Sequence, residues 1–394
     1  MSAPLRVLSL TEGFFAGGAR ILHSDVVAGL HARSEQHHSV LAIASRARRE
    51  STVQHMAGDP RYRALRASGI GITSLAKTAG PVPHAPHAFS SRQLRTAARA
   101  IAAADVVLTL KEQPLGLLLA LDEAMMLPDR PVVTCLHRSD PEHSGDALEW
   151  LGESVRRGIV TAAVSCARST DAAYASVLGD TQRHVVDNGI DLSRFEPSVT
   201  RGGDRVRREL GIPDRAVVVA YAARFDAMKD PELFLRSVAA HRALVPDAHY
   251  VMCGAGMTRE NPRLTELLEV IGGDRIHALG IRDDMPAIYR AADVVSLTSA
   301  FGEAAPLCLL EGAASGAVPV TTDVGDAARL VEGIGIVTPR NPDAIAAGWG
   351  RAVEERVAFG GAALAARDRL GRDRMITEYG AVIAEQVAGL RIAA

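Results

Sequence analysis

Two glutamates stand eight positions apart in the second half of the chain. Glu303 and Glu311 flank a short stretch of small and apolar residues, and the apolar run before them, Asp293–Ser299, predicts a buried parallel strand. Leu307–Ala314 predicts a helix that starts after Pro306. Glu303 should therefore lie at the carboxyl end of the strand, where open α/β sheets bind ligands, and Glu311 on the helix that follows.

The start of this helix is a candidate phosphate site. The N–H groups around Leu307 and Cys308 have no partner within the helix, and a helix N-terminus favours an anion. Carboxylates beside a bound phosphate repel it unless they bind something else, and sugar hydroxyls are the obvious candidates. The combination indicates a sugar nucleotide.

Two cations in the same half are typical of a diphosphate site. Arg224 and Lys229 follow the predicted strand Ala216–Ala222, and Asp230 with Pro231 opens the next helix. A forked guanidinium and a compact ammonium at the carboxyl end of a strand suit a departing diphosphate. Taken alone, the two residues could be a surface charge pair. With the two glutamates in the same half, the diphosphate interpretation is favoured.

The first half offers weaker candidates. The loop Thr11–Arg20 lies between the first predicted strand and helix. Gly17 and Gly18 in this loop would let the backbone approach a ligand, or would only form a tight turn. The loop matches neither the dinucleotide fingerprint nor a Walker loop. His137 follows another predicted strand and could act as a base, bind a sugar or be a satisfied core group.

The sequence favours no bound metal. It contains no Asp-x-Asp, no His-Glu-x-x-His and no zinc spacing, and His84 and His87 lie in the proline-rich loop Thr78–Phe89, which is a poor preorganised site. Sugar transferases that hold a diphosphate through a divalent metal usually need Asp-x-Asp. Here Arg224 and Lys229 can supply the positive charge, so we expect neither a metal nor another cofactor.

Composition narrows the class of protein. A length of 394 residues favours two domains, and a net charge of −2 argues against nucleic acid as the main partner. Four scattered cysteines predict buried thiols in a reducing cytoplasm, and neither a signal peptide nor a membrane-spanning run is visible. The arginine-rich stretch 46–66 could be a solvated face, or it could contact an anionic acceptor or a membrane surface.

Short apolar runs alternate with amphipathic stretches along the chain, which predicts doubly wound parallel sheets. Strands are predicted at Arg6–Leu10, Ser39–Ile43, Val106–Leu110, Val132–Cys135, Val160–Val164, His184–Val186, Ala216–Ala222, Tyr250–Cys253, Ile276–Ala278, Val294–Leu297 and Val318–Thr321. A break in the pattern near Phe195–Gly203 separates two halves. The last helical stretch, from Arg374 to about Leu390, follows no further strand.

These motifs resemble those of the family-four glycosyltransferases, retaining enzymes of GT-B fold that include many bacterial polysaccharide and natural-product enzymes. Glu303–Glu311 is similar to the family's Glu-x7-Glu element, and Arg224–Lys229 to its Arg-x4-Lys element. Asn188–Asp191, Gly254–Gly256 and Leu279–Ile281 resemble further family segments. The match covers most of the second half and is looser in the first.

The resemblance implies an α/β GT-B fold, in which two Rossmann-like, doubly wound parallel-sheet domains face a central cleft. Residues 1–196, joined by a returning helix at 375–394, would bind the acceptor. Residues 197–374 would bind the nucleotide-sugar donor.

The resemblance also implies roles for single residues. Arg224 and Lys229 would hold the donor's diphosphate, Glu303 its sugar and Glu311 its ribose. The N–H groups of Leu307 and Cys308 would bind the phosphate, and the segments of Gly254 and Ile281 would bind the nucleotide, with its base near Ile281. The loop of Gly17 and Gly18 would close over the diphosphate. His137 would position the sugar or the acceptor.

The predicted function is therefore metal-independent, retaining transfer of a sugar, expected to be a hexose, from a nucleoside diphosphate to an acceptor hydroxyl. UDP is the expected nucleotide, and the expected acceptor is a small molecule, a glycan or a lipid-linked acceptor. The expected location is the cytoplasm, with peripheral contact to the inner membrane left open. An epimerase or hydrolase of sugar nucleotides with the same fold is the alternative, and a regulatory nucleotide-sugar-binding protein is a third. Donor sugar, acceptor and oligomeric state stay open.

Overall fold

The computed structural model describes residues 4–15, 17–33, 35–49, 52–197 and 205–393. The chain divides into two compact units, one formed by Met1–Asn188 with Arg372–Ala394 and the other by Gly189–Gly371. The join that the sequence predicts at Phe195–Gly203 lies partly outside the described residues. Each unit contains a largely parallel sheet with helices between its strands, so the predicted α/β class is confirmed.

The first unit is built on an eight-stranded sheet, counted over the described residues. Its strands are β1 (Leu5–Thr11), β2 (Gln36–Arg49), β3 (Thr52–His55), β4 (Gly71–Ala79), β5 (Val106–Leu110), β6 (Val132–Leu136), β7 (Ala162–Ser165) and β8 (Gln182–Val185). The order is β3-β2-β1-β5-β6-β7-β8, and β4 also pairs with β2. Strand β3 runs antiparallel to β2, and the other pairings are parallel. The strand order reverses between β1 and β5, whose carboxyl ends mark the position where such sheets bind ligands.

Helices connect these strands in the usual alternation. They are α1 (Gly18–Ala32), α2 (Pro60–Ala67), α3 (Ser91–Ala102), α4 (Leu115–Glu123), α5 (Asp146–Arg156) and α6 (Arg168–Leu178). Helix α3 has a capping box, in which the Ser90 hydroxyl accepts from the N–H of Gln93 and the Gln93 side chain accepts from the N–H of Ser90.

The second unit contains a six-stranded sheet within the described residues. Its strands are β9 (Val218–Ala222), β10 (His249–Cys253), β11 (Ile276–Gly280), β12 (Val294–Leu297), β13 (Val318–Thr322) and β14 (Ile336–Thr338). All pairings are parallel, in the order β11-β10-β9-β12-β13-β14. The strand order here reverses between β9 and β12, which are the two strands that precede the predicted cations and glutamates.

Proline begins several helices of the second unit. The helices are α7 (Arg205–Glu209), α8 (Pro231–Leu244), α9 (Pro262–Ile271), α10 (Met285–Ala291), α11 (Leu307–Ala314), α12 (Ala327–Leu330), α13 (Pro342–Glu354), α14 (Arg356–Ala365) and α15 (Arg367–Leu370). Helices α8, α9, α10 and α13 carry proline in the first turn, where the missing N–H removes no helical hydrogen bond.

The last helix, α16 (Arg372–Ala393), returns to the first unit as predicted. It packs on α1 so closely that a Cβ on Gly29 would lie 2.4 Å from Ile376. Arg374 donates to the carbonyl oxygen of Asp187 at 2.8 Å, which fixes the start of the helix. Among the described helices, none combines the length and hydropathy that a membrane span requires.

The predicted strands are observed, with ends shifted by at most two residues except in β2, which begins three residues before and ends six residues after the predicted Ser39–Ile43. Strands β3, β4 and β14 are not among the strands predicted from the sequence. Strand β4 was missed because its residues alternate between exposed and half-buried and carry few large apolar side chains. The loop predicted over Thr78–Phe89 needs correction, because its first two residues end β4 and Pro86–Ala88 forms a single 3-10 turn. All four cysteines are buried free thiols, as predicted.

An aromatic cluster fills the core beneath the second sheet. The ring of Phe234 stacks on Tyr221 of β9 with centroids 4.4 Å apart, and Trp349 of α13 lies 5.4 Å from Phe234. The indole N–H of Trp349 donates to the hydroxyl of Ser296 in β12 at 3.0 Å, so it is satisfied although fully buried. The cluster therefore holds β9 and β12, the two strands at the reversal, against α8 and α13.

A buried ion cluster fixes the opposite end of the same two strands. Asp293, directly before β12, accepts from the guanidinium of Arg207 at 3.2 Å and from the N–H of Val218 at 2.9 Å. Arg356 donates to its other oxygen at 2.9 Å. Asp293 and Arg207 are both buried, so removal of either leaves an uncompensated charge.

We predict that Asp293→Ala lowers the free energy of unfolding of the second unit by about 3–5 kcal/mol, because Arg207 then stays buried without a counter-charge. Guanidinium unfolding followed by Trp349 fluorescence, in a Trp150→Phe background, measures this unit alone because the chain has two tryptophans. The matched control is Glu266→Ala, which removes an exposed ion pair with Arg263 and should cost less than about 0.5 kcal/mol. Equal losses would contradict the assignment.

Candidate functional site

The carboxyl ends of β9 and β12 bring two of the predicted site residues into contact. Lys229, in the loop after β9, donates from Nζ to Oε1 of Glu303, in the loop after β12. The hydroxyl of Ser299 donates to the same oxygen. The two charged side chains are 16% and 6% exposed, so this is a largely buried ion pair at the point where the strand order reverses.

The backbone that carries Lys229 is fixed by the neighbouring strands. The hydroxyl of Tyr221 donates to the carbonyl oxygen of Lys229 at 2.6 Å, and the hydroxyl of Thr298 donates to that of Asp230 at 3.0 Å. Asp230 itself adopts a left-handed conformation, with φ 49 and ψ 62, caps α8 and pairs with Arg340. A left-handed non-glycine residue costs about 1–2 kcal/mol, which these contacts offset. The position of the ammonium group is thus set before any ligand binds.

Arg224 lies on the same loop in a different environment. Its side chain is 63% exposed and pairs with Asp226 at 2.9 Å. The structure therefore brings Lys229 and Glu303 together and leaves the guanidinium of Arg224 on the surface of the loop that carries Lys229.

Glu311 faces an aromatic neighbour. Its carboxyl lies near the hydroxyl of Tyr289, whose ring is 6.1 Å from that of Phe195. Burial raises the pKa of Glu311, and the Tyr289 hydrogen bond and the charge of Arg194 oppose this rise. The two glutamates of the motif thus have different surroundings, one beside a lysine and the other beside a tyrosine.

Helix α11 begins at Leu307, as the sequence predicts. Pro306 occupies the N-cap position, and no side chain caps the first turn. Burial raises the pKa of Cys308 to about 12, so its thiol stays protonated and its part in the site can only be its backbone N–H. The uncapped first turn leaves N–H groups available to an anion.

The loops after β9, β10 and β11 approach each other closely. Gly254 has φ 137, and a Cβ there would lie 1.9 Å from the carbonyl oxygen of Ala223. Its N–H donates to the carbonyl oxygen of Gly280 at 2.8 Å. Ile281, the next residue, is 76% exposed, an apolar side chain at the surface in the segment predicted to hold the base.

The sequence analysis did not single out Gly325, which supports the Glu303 loop from β13. A Cβ at Gly325 would lie 1.9 Å from the carbonyl oxygen of Glu303, and the N–H of Asp326 donates to that of Ala304 at 3.0 Å. Asp326 is buried and pairs with Arg329 at 2.7 Å. In the sequence, the only hint of this contact is the pair Gly325 and Asp326, which follows the predicted strand Val318–Thr321.

In the first unit, Gly17 and Gly18 lie at the start of α1, with Gly17 at the N-cap and φ 146. The loop before them is held by two arginines. Arg20 pairs with Glu12 at 2.6 Å, and Arg61 donates to the carbonyl oxygen of Phe15 at 3.0 Å. Arg61 belongs to the arginine-rich stretch, so at least this member of the stretch has a structural partner.

His137 follows β6 and is a poor candidate for a base. Burial, with the nearby charge of Lys111, lowers its pKa to about 3. Its Nε2 is buried and has no hydrogen-bond partner among the described residues. A neutral imidazole with so low a pKa accepts a proton poorly but can hydrogen-bond a hydroxyl or an anion. Within the described ranges no three His, Cys, Asp or Glu side chains group as metal ligands would.

Part of the second half is similar to known proteins. Residues 216–355 match a family model described as "Glycosyl transferases group 1", which confirms the predicted resemblance for this segment. The D-inositol 3-phosphate glycosyltransferase of Salinispora tropica is 39% identical over 161 residues, 37% of this chain and 33% of that protein. The enzyme of the same name from Corynebacterium kroppenstedtii is 34% identical over 166 residues, 38% of this chain and 37% of that protein. The matches thus span about a third of each relative.

Solved structures share the fold over the whole chain. Anabaena HepE in complex with UDP has a TM-score of 0.77 at 19% identity and covers 97% of this chain and 100% of its own. A glycosyltransferase from Rickettsia africae has a TM-score of 0.74 at 14% identity, with 98% and 99% covered. Sucrose-phosphate synthase from Thermosynechococcus elongatus has a TM-score of 0.70 at 16% identity, with 98% and 100% covered. The predicted GT-B fold is confirmed.

We predict that Gly325→Ala costs about 2 kcal/mol more than Gly333→Ala in the free energy of unfolding of the second unit. Both glycines have positive φ, 60 and 75, but a Cβ at Gly333 meets nothing within 4 Å. Both variants therefore carry the same conformational penalty of about 1–2 kcal/mol. The additional loss of unfolding free energy in Gly325→Ala measures the collision of its Cβ with the carbonyl oxygen of Glu303. The Trp349 unfolding assay reads both variants, and equal losses would mean that the loop contact is loose.

Proposed function

We propose that the chain is a retaining glycosyltransferase that moves a sugar from UDP-sugar to an acceptor hydroxyl without a metal. The observation that carries the proposal is the Lys229–Glu303 pair beside the uncapped start of α11, inside the segment that matches the family model. HepE, which shares the fold, is described in complex with UDP and with UDP-glucose, which supports UDP as the nucleotide.

In this proposal the second unit binds the donor. The diphosphate lies at the first turn of α11, with Arg224 and Lys229 neutralising it as the bond to the sugar breaks. Glu303, already held by Lys229 and Ser299, accepts hydrogen bonds from sugar hydroxyls. Glu311 binds the ribose, and the base packs near the exposed Ile281. Gly254 keeps the loops around the nucleotide close together.

The proposal assigns retention to a same-face reaction. Glu303 is bonded to both an ammonium and a hydroxyl, which makes its carboxylate a weak nucleophile for a double displacement. The leaving phosphate instead takes the acceptor's proton. The first unit binds the acceptor, where the neutral His137 positions a hydroxyl and Gly17 and Gly18 leave room for the diphosphate.

We predict that Arg224→Ala weakens UDP binding about tenfold and lowers turnover about 100-fold, because it removes one charged contact that strengthens as the diphosphate leaves. The residue is exposed, so folding is unaffected. The matched control is Arg263→Ala, another exposed arginine of the same unit. Titration calorimetry with UDP measures the affinity, and equal affinities in the two variants would contradict the donor site. Lys229→Ala is a less clean test, because it leaves the buried Glu303 without its counter-charge.

The alternative reactions are separated by an assay without acceptor. A transferase releases little UDP from a panel of UDP-sugars until an acceptor is added, whereas an epimerase or hydrolase converts the donor alone. We expect turnover to survive EDTA and the glycoside formed to keep the donor's α configuration, as measured by the anomeric coupling constant in NMR. Loss of activity with EDTA would refute metal independence, and a β product would refute retention.

A further inference from the structure

Lys111 lies at the carboxyl end of β5, one of the two strands between which the order of the first sheet reverses. The chain contains three lysines, Lys77, Lys111 and Lys229, among many arginines. Lys111 directly follows β5, and its N–H donates to the carbonyl oxygen of Cys135 at 2.9 Å, which ties it to the end of β6. It adopts a left-handed conformation with φ 65, although it is not glycine. Such strain, about 1–3 kcal/mol, clusters at ligand sites.

Arg138, a second cation at the end of the neighbouring strand, lies near enough to act on the pKa of Lys111. Arg138 follows β6, and its Nε is buried without a hydrogen-bond partner among the described residues. Within the same described ranges, neither Lys111 nor Arg138 has a carboxylate within salt-bridge distance. Burial, followed by the charges of Arg138 and Arg20, lowers the pKa of Lys111 to about 8. Two cations that repel each other in a partly buried place are stabilised by an anion between them.

The nearby carboxylates are engaged elsewhere. Glu12 pairs with Arg20 at 2.6 Å, and one oxygen of the fully buried Glu112 accepts from the hydroxyl of Tyr174. The other oxygen of Glu112 has no partner among the described residues, so this carboxylate does not turn to Lys111. Both acids lie near enough to oppose the fall in the pKa of Lys111, but neither forms an ion pair with it.

His137 is a further possible donor at the end of β6. It stands between β6 and Arg138, its Nε2 is buried without a partner among the described residues, and, after burial, Lys111 is the charge that lowers its pKa most. A neutral imidazole N–H, an ammonium and a guanidinium form the donor set that proteins use for phosphate and carboxylate groups.

We propose that the acceptor carries an anionic group, a phosphate or a carboxylate, which Lys111 and Arg138 bind at the carboxyl ends of β5 and β6. The inference rests on the proposed function, since it takes this ligand to be the acceptor. It assigns to the first unit a charged specificity site separate from the cations proposed for the donor's diphosphate.

The test is calorimetric titration of inorganic phosphate into the full chain with saturating UDP, which fills the donor site. We expect saturable binding that Lys111→Met and Arg138→Gln each weaken about tenfold, the loss of one charge-assisted contact. Lys77→Met is the matched control from the same unit. Its ammonium donates to the carbonyl oxygen of Ala88, and its removal should leave phosphate binding unchanged. A parallel titration with malonate distinguishes a carboxylate from a phosphate site.

The outcomes separate this inference from the proposed function. If UDP binds and phosphate does not, or if phosphate binding survives both substitutions, the anion site is refuted and the donor site stands. If UDP does not bind, the donor proposal fails, and the contrast between Lys111→Met and Lys77→Met still decides the anion site. Circular dichroism checks folding, and Arg138→Gln alone decides the question if Lys111→Met does not fold.

Discussion

The second unit depends on one electrostatic constraint, the burial of Lys229 against Glu303. An ion pair removed from water stabilises a protein only when its geometry is good and its remaining hydrogen-bonding positions are filled. The structure fixes the geometry through the backbone and fills some of these positions, leaving others on Glu303 open. Tyr221 and Thr298 fix the carbonyl groups at Lys229 and Asp230, Ser299 donates to Glu303, and Gly325 allows β13's loop to pass directly beneath. In the proposed function, this rigidity preorganises the pair for the donor.

Each end of β12 is next to a buried carboxylate, and the two carboxylates differ in how many partners they have. At the amino end, Asp293 is bound by two arginines and a backbone N–H, while at the carboxyl end Glu303 has one lysine. Between them, Trp349 bonds to Ser296 and packs on the aromatic cluster. The fully satisfied carboxylate serves stability. The less satisfied one keeps hydrogen-bonding capacity for sugar hydroxyls in the proposed function.

The sequence predicts where strands and helices lie better than it predicts which residues of different elements contact each other. Alternating apolar runs placed the central strands, and Pro306 placed the start of α11 at Leu307, because both signals are local. No spacing rule states that Glu303 meets Lys229 while Glu311 meets Tyr289, since these contacts depend on strand order and on which way each loop turns. Strand β14 has three residues, too few for a period to be visible. Lys111 was overlooked because a single lysine after a strand has no motif.

The two sheets place a lysine at the same topological point with opposite consequences. Lys229 is neutralised by Glu303, so the second unit carries its own counter-charge and any anion that binds there has to compete with a carboxylate. Lys111 is affected by the charge of Arg138, and although Glu12 and Glu112 also act on it, neither forms an ion pair with it among the described residues. In the proposed function, the site at Lys229 takes a dianion that brings further contacts along α11, as a nucleoside diphosphate does. The site proposed at Lys111 and Arg138 takes a single charged group, so the two proposed substrates differ in the charge that each site has to balance.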